Sequence, residues 1–336
     1  MTRATQHRLV DELGAGGLRA DDLRASPQAM REGVRRAVGL GHDTWTGPFS
    51  ELVTALAELA RVDLCLARLV EGHADGLRIL DQADGTPRDG VYGVWASRSA
   101  GTGVRAVRQD GRWRLVGECR FASGIDLVDR ALLPGWLDDG THLLFDIALD
   151  GVHPDRSSWR TPAMDGSRSF TVRVDLAVGD EDVVGGPGFY LDRPGFVLGG
   201  LAVAAVWAGG VASVLDLVAT GLRRFRPSAH QLRRLGVMQQ AAWAARGAVD
   251  GTARSLPLLA AEHRAAEVTA ARTAAVTAAE QVVEEAGRVV GPGGLTGDER
   301  LARTLADLSI YIRQHHLDGT LEALGAAALR DRQVLG

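Results

Sequence analysis

The residues in this chain whose type and spacing could do chemistry are few: three histidines and a serine stand out. In LSIYIRQHHLDGTLEALG, Leu308 to Gly325, His315 and His316 close an apolar-periodic stretch. Neighbouring side chains on a helix point about 100° apart, so this pair cannot close on one metal from one face. Leu301, Leu305, Leu308, Ile312 and His315 step by four, three, four and three, which places His315 on the apolar stripe and His316 off it. His315 is then either a helix-terminal imidazole favoured by the dipole or a group reaching into a site. In a site, a neutral imidazole with an ordinary pKa of about 6.5 suits a base at neutral pH. His73, in LVEGHADGL with Glu71 beside it, falls at the end of a second apolar-periodic stretch, where it is either a surface or core histidine or a catalyst. Ser123, in GECRFASG, ends an expected strand beside a glycine. A hydroxyl and an N–H there can face a ligand or serve a turn. No GxSxG elbow or HExxH motif occurs, so neither a serine hydrolase nor a zincin is indicated.

Those residues sit in three zones. Residues 1–87 read as a helical N-terminal domain, with apolar positions three and four apart in SELVTALAELARVDLCLARLVEGHADGLRIL. Residues 88–190 turn to short Val-, Trp- and Phe-rich runs, VYGVWAS, GVRAVRQ, RWRLVGECRF, RALLPGW, HLLFDIAL and SFTVRVDLAV. Asp110-Gly111 between two of them signals a two-residue hairpin. This zone predicts a small antiparallel β domain, a barrel or sandwich. Residues 191–336 return to helix, rich in Ala and Glu, with Asp298 near the first turn of the helix that leads to His315. The GPGGLTG string follows a helix, whereas a dinucleotide loop follows a strand, so it reads as a helix–helix turn. Helices, strands and helices in separate runs indicate an α+β chain, not an alternating sheet.

Composition excludes several classes. The 336 residues carry a net charge of −4 with 38 basic residues, all arginine and scattered, which gives no electrostatic case for nucleic acid. Cys65 and Cys119 have no paired spacing, so no disulfide framework or metal site is expected, and a reducing cytoplasmic setting fits. MTRATQHRLVDEL has no apolar core of signal-peptide type. FVLGGLAVAAVWAGGVASVL, Phe196 to Leu215, runs twenty residues without a charge and is long enough to span a membrane. Its crisp start at Pro194-Gly195 and its continuation through Asp216 favour a helix buried among helices, and no membrane is expected.

The zone order and several strings together resemble the acyl-CoA dehydrogenase superfamily, from about residue 45 to 330. DGRWRLVGECRFASG resembles the strand that turns beneath the flavin ring. The resemblance puts Phe121 at the aromatic position and Ser123 at the hydroxyl near flavin N5. ASRSAGT resembles the preceding loop and makes Thr102 the pyrophosphate contact, while Ala96 replaces the usual threonine and removes one flavin hydrogen bond. TPAMDGSRSFTVRVDLAV resembles the segment that closes the β domain. RRFRPSAHQLRRLGVM resembles a shortened Arg…Phe-Gly…Gln segment, which makes Arg223 or Arg224 the arginine toward a neighbouring subunit's FAD and Gln231 the glutamine. GPGGLTGDERLARTLADL resembles the turn and helix that follow.

On this pattern His315 stands where many members have a catalytic glutamate, with Asp318 and Glu322 displaced from it. The resemblance implies an enzyme, a flavin-dependent oxidoreductase acting on an acyl thioester or similar activated acid, with His315, His73 and Ser123 as catalytic candidates. A two-component monooxygenase of the same fold, or a binding or assembly subunit that has lost catalysis, are the alternatives. The implied cofactor is FAD, or reduced FAD or FMN delivered by a reductase. The implied partners are a small-molecule substrate, such as an acyl-CoA or carrier-protein thioester, an electron-transfer or reductase protein, and other copies of the chain in a homodimer or homotetramer. The Phe196–Leu215 run and the helix around Thr269–Val290 are the expected oligomer surfaces.

Overall fold

The structure is a computed structural model that describes residues 19–331; the MTRATQHRLVDEL stretch lies outside them. The chain divides into two compact units. One holds the described residues up to Pro48 together with Cys65–Gly199, the other Phe49–Leu64 together with the residues from Gly200 onward. Contacts therefore group the helix α4, Phe49–Val62, with the C-terminal helices.

In the first unit, α1 (Ala20–Arg24), α2 (Pro27–Leu40) and α3 (His42–Thr46) precede α5 (Leu64–Gln82). Ser26 caps α2, its hydroxyl accepting from the Ala29 amide at 3.1 Å, with Pro27 at the first helical position. The sequence expects the helix to end near His73, but α5 runs on to Gln82. Ala74, Leu77, Ile79 and Leu80 continue its buried face. Gly76 inside it has a packing reason: a Cβ there would stand 3.0 Å from the Tyr92 Cβ.

The strands are β1 (Tyr92–Val94), β2 (Gly103–Gln109), β3 (Arg112–Ala122), β4 (Arg130–Trp136), β5 (His142–Ala148), β6 (Val152–Asp155), β7 (Phe170–Val178) and β8 (Val183–Val184). They form one sheet in the order β6-β7-β3-β2-β4-β5-β8, with β1 on β4. The Asp110-Gly111 hairpin forms as expected, both residues at positive φ (50° and 77°), as a two-residue mirror-image turn requires. The sheet is antiparallel except at β4, which runs parallel to both β1 and β2. After the β2–β3 hairpin the chain passes back to the far side of β2, so the next strand meets β1 and β2 pointing the same way. Ala131 to Gly135 on β4 and His142 to Ile147 on β5 are buried residue after residue, as in strands covered on both faces.

The first unit continues through α6 (Phe189–Asp192) into the start of α7 (Gly195–Leu222). The second unit holds the rest of α7 with α4, α8 (Ala229–Ser255), α9 (Ala261–Gly297), α10 (Glu299–Tyr311) and α11 (Leu317–Asp331). Among the described residues α7 is the one helix long and apolar enough to cross a membrane, and 78% of its most apolar window is buried inside the protein. It packs closely on α4: a Cβ on Gly209 would stand 2.1 Å from the Ala57 carbonyl oxygen. From Leu201 onward the Phe196–Leu215 run is mostly interior, with Phe196 at its start 41% exposed, so it offers little of the oligomer surface expected of it.

Gly291 (φ 62°, ψ −174°) breaks α9, and Pro292 restarts it, so GPGGLTG is a helix–helix break carrying its own short helical segment. Asp298 then caps α10, accepting from the Leu301 amide at 3.0 Å. The helix stops at Tyr311. A 3-10 turn covers Ile312–Gln314, and His315 is extended (φ −96°, ψ 123°). His315 therefore lies past the helix and not within its last turn.

Candidate functional site

In the first unit, chemistry gathers where β3 ends. Phe121 adopts φ 61°, a left-handed conformation that a bulky aromatic rarely holds, and its side chain is 47% exposed. Strain of this kind costs of the order of 1–3 kcal/mol and marks functional positions. A register irregularity between Cys119 and Ala122 produces it. Trp159 meets the Phe121 ring edge-on, with centroids 6.4 Å apart, and the Arg120 guanidinium lies 5.2 Å from the ring centre.

Two residues on, Ser123 is buried, and its carbonyl accepts the Trp95 indole N–H at 2.9 Å. Its hydroxyl begins a chain: Ser123 Oγ to Ser169 Oγ is 2.8 Å, Ser169 Oγ to Ser167 Oγ 2.7 Å, and Ser167 Oγ to the Met164 carbonyl 2.6 Å. A carbonyl only accepts, so Ser167 must donate to Met164. Each hydroxyl has one proton, so all three bonds form only if Ser169 donates to Ser167 and Ser123 to Ser169. The Ser123 proton is committed inward, and the hydroxyl offers its lone pairs as an acceptor to anything outside.

His73 is 3% exposed in the middle of α5, and its Nδ1 accepts the Tyr92 backbone N–H at 3.1 Å. Burial pushes its pKa down to about 4, and the nearby His42 adds to this. It is a neutral imidazole whose acceptor nitrogen holds the start of β1. Thr102 caps the short turn Ser99–Gly101, its hydroxyl donating to the Ser99 carbonyl at 2.8 Å.

In the second unit, His315 is half-buried and His316 exposed, as the stripe predicts. His315 Nε2 lies 3.3 Å from Thr273 Oγ1, and that hydroxyl donates to the Thr269 carbonyl at 2.9 Å. Nε2 must therefore be the donor, which leaves the Nδ1 lone pair unengaged. Burial lowers the His315 pKa, reinforced by Arg272 and His316, so the ring is neutral at pH 7. The Trp207 ring stands 6.1 Å from His315, and the buried Trp207 indole N–H has no hydrogen-bond partner.

Solved structures with this architecture span the whole chain. TdsC, a dibenzothiophene monooxygenase from Paenibacillus sp. A11-2 solved with FMN and indole, gives a TM-score of 0.83 at 17% identity, covering 98% of this chain and 96% of that one. Methanesulfinate monooxygenase MsuC from Pseudomonas fluorescens gives 0.79 at 19% identity, covering 98% and 97%. XiaF from Streptomyces sp., solved with FADH2 and glycerol, gives 0.77 at 18% identity, covering 96% and 95%. No family model matches the chain, and no curated protein does.

The chain has the acyl-CoA dehydrogenase-like fold. Within that fold the remaining expected contacts divide. Arg223 and Arg224 are both exposed in the turn after α7. Gln231 completes a capping box at the start of α8: its Oε1 accepts from the Ser228 amide at 3.0 Å, and its amide donates to the Val289 carbonyl at 3.1 Å. The S-x-x-Q spacing of Ser228 and Gln231 carried that capping signal in the sequence. Ser167 and Ser169 were missed, because nothing local links them to Ser123 across more than forty positions. Among the described residues no cluster of His, Cys, Asp and Glu could hold a metal ion.

Proposed function

We propose that the protein is a flavin-dependent monooxygenase acting on a small organic molecule, with reduced FMN or FAD supplied by a separate reductase. The full-length likeness to solved monooxygenases, and to a protein holding FADH2, carries this reading. Bound reduced flavin supplies the electrons that activate dioxygen. The residues at the end of β3 fit such a ring. Phe121 offers an exposed aromatic face held in a strained turn. Ser123 offers an acceptor, which matches the N5–H of a reduced flavin and not the N5 lone pair of an oxidised one. His315, neutral and with Nδ1 unengaged, is the proposed base. His73 acts by holding β1 through Tyr92.

A second reading, dehydrogenation of an acyl thioester, is favoured by the same observation at His315, because a free imidazole lone pair would also take an α-proton. Anaerobic spectroscopy separates the two. A monooxygenase binds oxidised flavin weakly, keeps its absorbance when acyl thioesters are added, and, in a separate aerobic assay with reduced flavin supplied, incorporates an oxygen atom into an organic substrate. Bleaching of a bound FAD by an acyl thioester would favour the dehydrogenase. A colourless protein that takes up neither redox form would overturn both and leave a binding or assembly subunit.

The proposed oligomer surface is the outer face of α8. Trp243 is 70% exposed there and Leu232 54%, and a Cβ added at Gly236 or Gly247 would meet nothing within 4 Å. An apolar face of this kind suits contact with a second copy of the chain.

A further inference from the structure

We infer that Trp207 helps to select the substrate, and that it selects a molecule bearing a hydroxyl on an aromatic or otherwise unsaturated carbon; this rests on the flavin reading above, with His315 as the base. The Trp207 ring is wholly buried in the middle of α7, and among the described residues its indole N–H meets no acceptor. An indole nitrogen only donates, so an acceptor is what this position lacks. A donor sealed from water and unpaired is a standing cost that a bound acceptor removes.

Three segments of the second unit bring other groups to this ring. Thr273 on α9 engages His315 Nε2, which leaves Nδ1 as an acceptor in want of a donor. The His315 and Trp207 ring centres stand 6.1 Å apart, and a hydroxyl oxygen about 2.9 Å from a nitrogen of each fits that span. Arg272, also on α9, has its guanidinium carbon 5.6 Å from the Trp207 ring centre, and its charge reaches His315. Gly200 makes room for it two turns before Trp207: a Cβ there would stand 2.5 Å from Arg272 Nη1 and 3.0 Å from its Cδ. At the end of α10, Tyr311 meets the Trp207 ring edge-on with centroids 6.1 Å apart.

A donor that lacks an acceptor, beside an acceptor that lacks a donor, describes a hydroxyl ligand. Its lone pair takes the Trp207 N–H, and its own O–H donates to His315 Nδ1. A carbonyl or an ether would serve Trp207 and leave Nδ1 unmet. An ammonium group would serve His315 and leave Trp207 unmet. On an unsaturated carbon the hydroxyl is acidic enough to pass its proton to Nδ1: the O–H bond breaks, an N–H bond forms, and the electron pair stays on oxygen. The oxyanion is then held by the Trp207 N–H in a site that excludes water, with the Arg272 charge close by. It makes the adjoining carbons electron-rich, which suits them to oxygenation.

The test uses 4-methylphenol, 4-methylanisole and toluene, in anaerobic calorimetric titrations of the full-length protein with reduced FMN present. The first donates and accepts, the second only accepts, and the third does neither. Wild type should bind them in that order, with about tenfold between the phenol and its methyl ether. Trp207→Phe keeps a buried ring and loses the N–H. It should weaken 4-methylphenol and 4-methylanisole by about tenfold each and leave toluene within about twofold. The wild-type ranking needs no variant, so it decides even if Trp207→Phe fails to fold. Equal affinity of wild type for the three compounds, binding of none of them, or a loss in Trp207→Phe that toluene shares or that neither oxygen compound shows, overturns the inference. Reduced FMN titrated alone still binds in each of those cases, so the flavin reading stands apart. Failure of wild type to bind reduced FMN overturns both.

Discussion

The hydroxyls of Ser123 and Ser169 lie 2.8 Å apart, and the direction of that bond is set at the far end of the chain, where Ser167 donates to the Met164 carbonyl. Replacing Ser169 with alanine removes the inward acceptor and frees the Ser123 proton to point outward. Affinity for oxidised FMN should then rise relative to reduced FMN, by up to about tenfold. Titration of wild type and variant in both redox states reads this ratio directly. A ratio that stays at the wild-type value would show that the serine chain does not set the preference.

His315→Gln is a selective way to remove the proposed base. The glutamine amide keeps a donor for Thr273 Oγ1, in place of Nε2–H, and has no counterpart of the Nδ1 lone pair. Turnover should fall by about 100-fold or more, the usual contribution of a positioned base. In wild type, kcat/KM should decline on the acid side as the imidazole protonates, below its ordinary range because burial lowers its pKa. That acid limb should be missing from the residual activity of the variant. Full turnover in His315→Gln would remove His315 from the mechanism.

Phe121 should separate stability from function. Glycine at this position relieves the left-handed strain of a residue that is 47% exposed. Chemical denaturation of Phe121→Gly should therefore shift by less than about 1 kcal/mol, against about 3–5 kcal/mol for truncating a core phenylalanine. Flavin affinity should fall markedly. A large loss of stability would mean that the ring serves packing and not a ligand.

His73 makes stability depend on pH. Its folded pKa of about 4 lies below the ordinary 6.5, so the unfolded chain binds the extra proton first as pH falls. Its contribution is intact above pH 6.5, is lost progressively below that, and is exhausted near pH 4. The full loss is of the order of 3 kcal/mol. His73→Asn, whose side-chain oxygen can replace Nδ1 as acceptor for Tyr92, should flatten the profile across this window. An unchanged slope would assign the acid sensitivity to other groups.

Trp243→Asp tests the outer face of α8. Wild type should sediment as a dimer or larger, and the variant should dissociate while keeping its helical signal. A wild-type monomer would show that this face has no second copy to meet.

Much of the fold was legible because local rules sufficed. The Asp110-Gly111 hairpin, the Asp298 cap and the helix break at Gly291 each follow from backbone preferences of one or two residues. The twenty-residue apolar run read correctly as a buried helix, but it misled as an oligomer surface, since periodicity cannot say which faces are covered. The parallel pairing of β1 and β2 with β4 depends on how hairpins pack, and no turn signal encodes that. The proposed site was legible only in part. The resemblance offered Phe121 and Ser123, but the positive φ of one follows from the irregular pairing of β3 with β7, and the proton direction of the other from Ser167 and Ser169, all distant in sequence. The end of α5 was misplaced because a glycine-containing polar stretch hid a buried face that Tyr92 completes.

The most direct measurement is the affinity of the full-length protein for one flavin in its two redox states, by anaerobic titration with dithionite-reduced and then oxidised FMN. The account predicts saturable binding of one reduced flavin per chain, clearly tighter than binding of the oxidised form. Equal or tighter binding of oxidised flavin, or no binding of either, would contradict it.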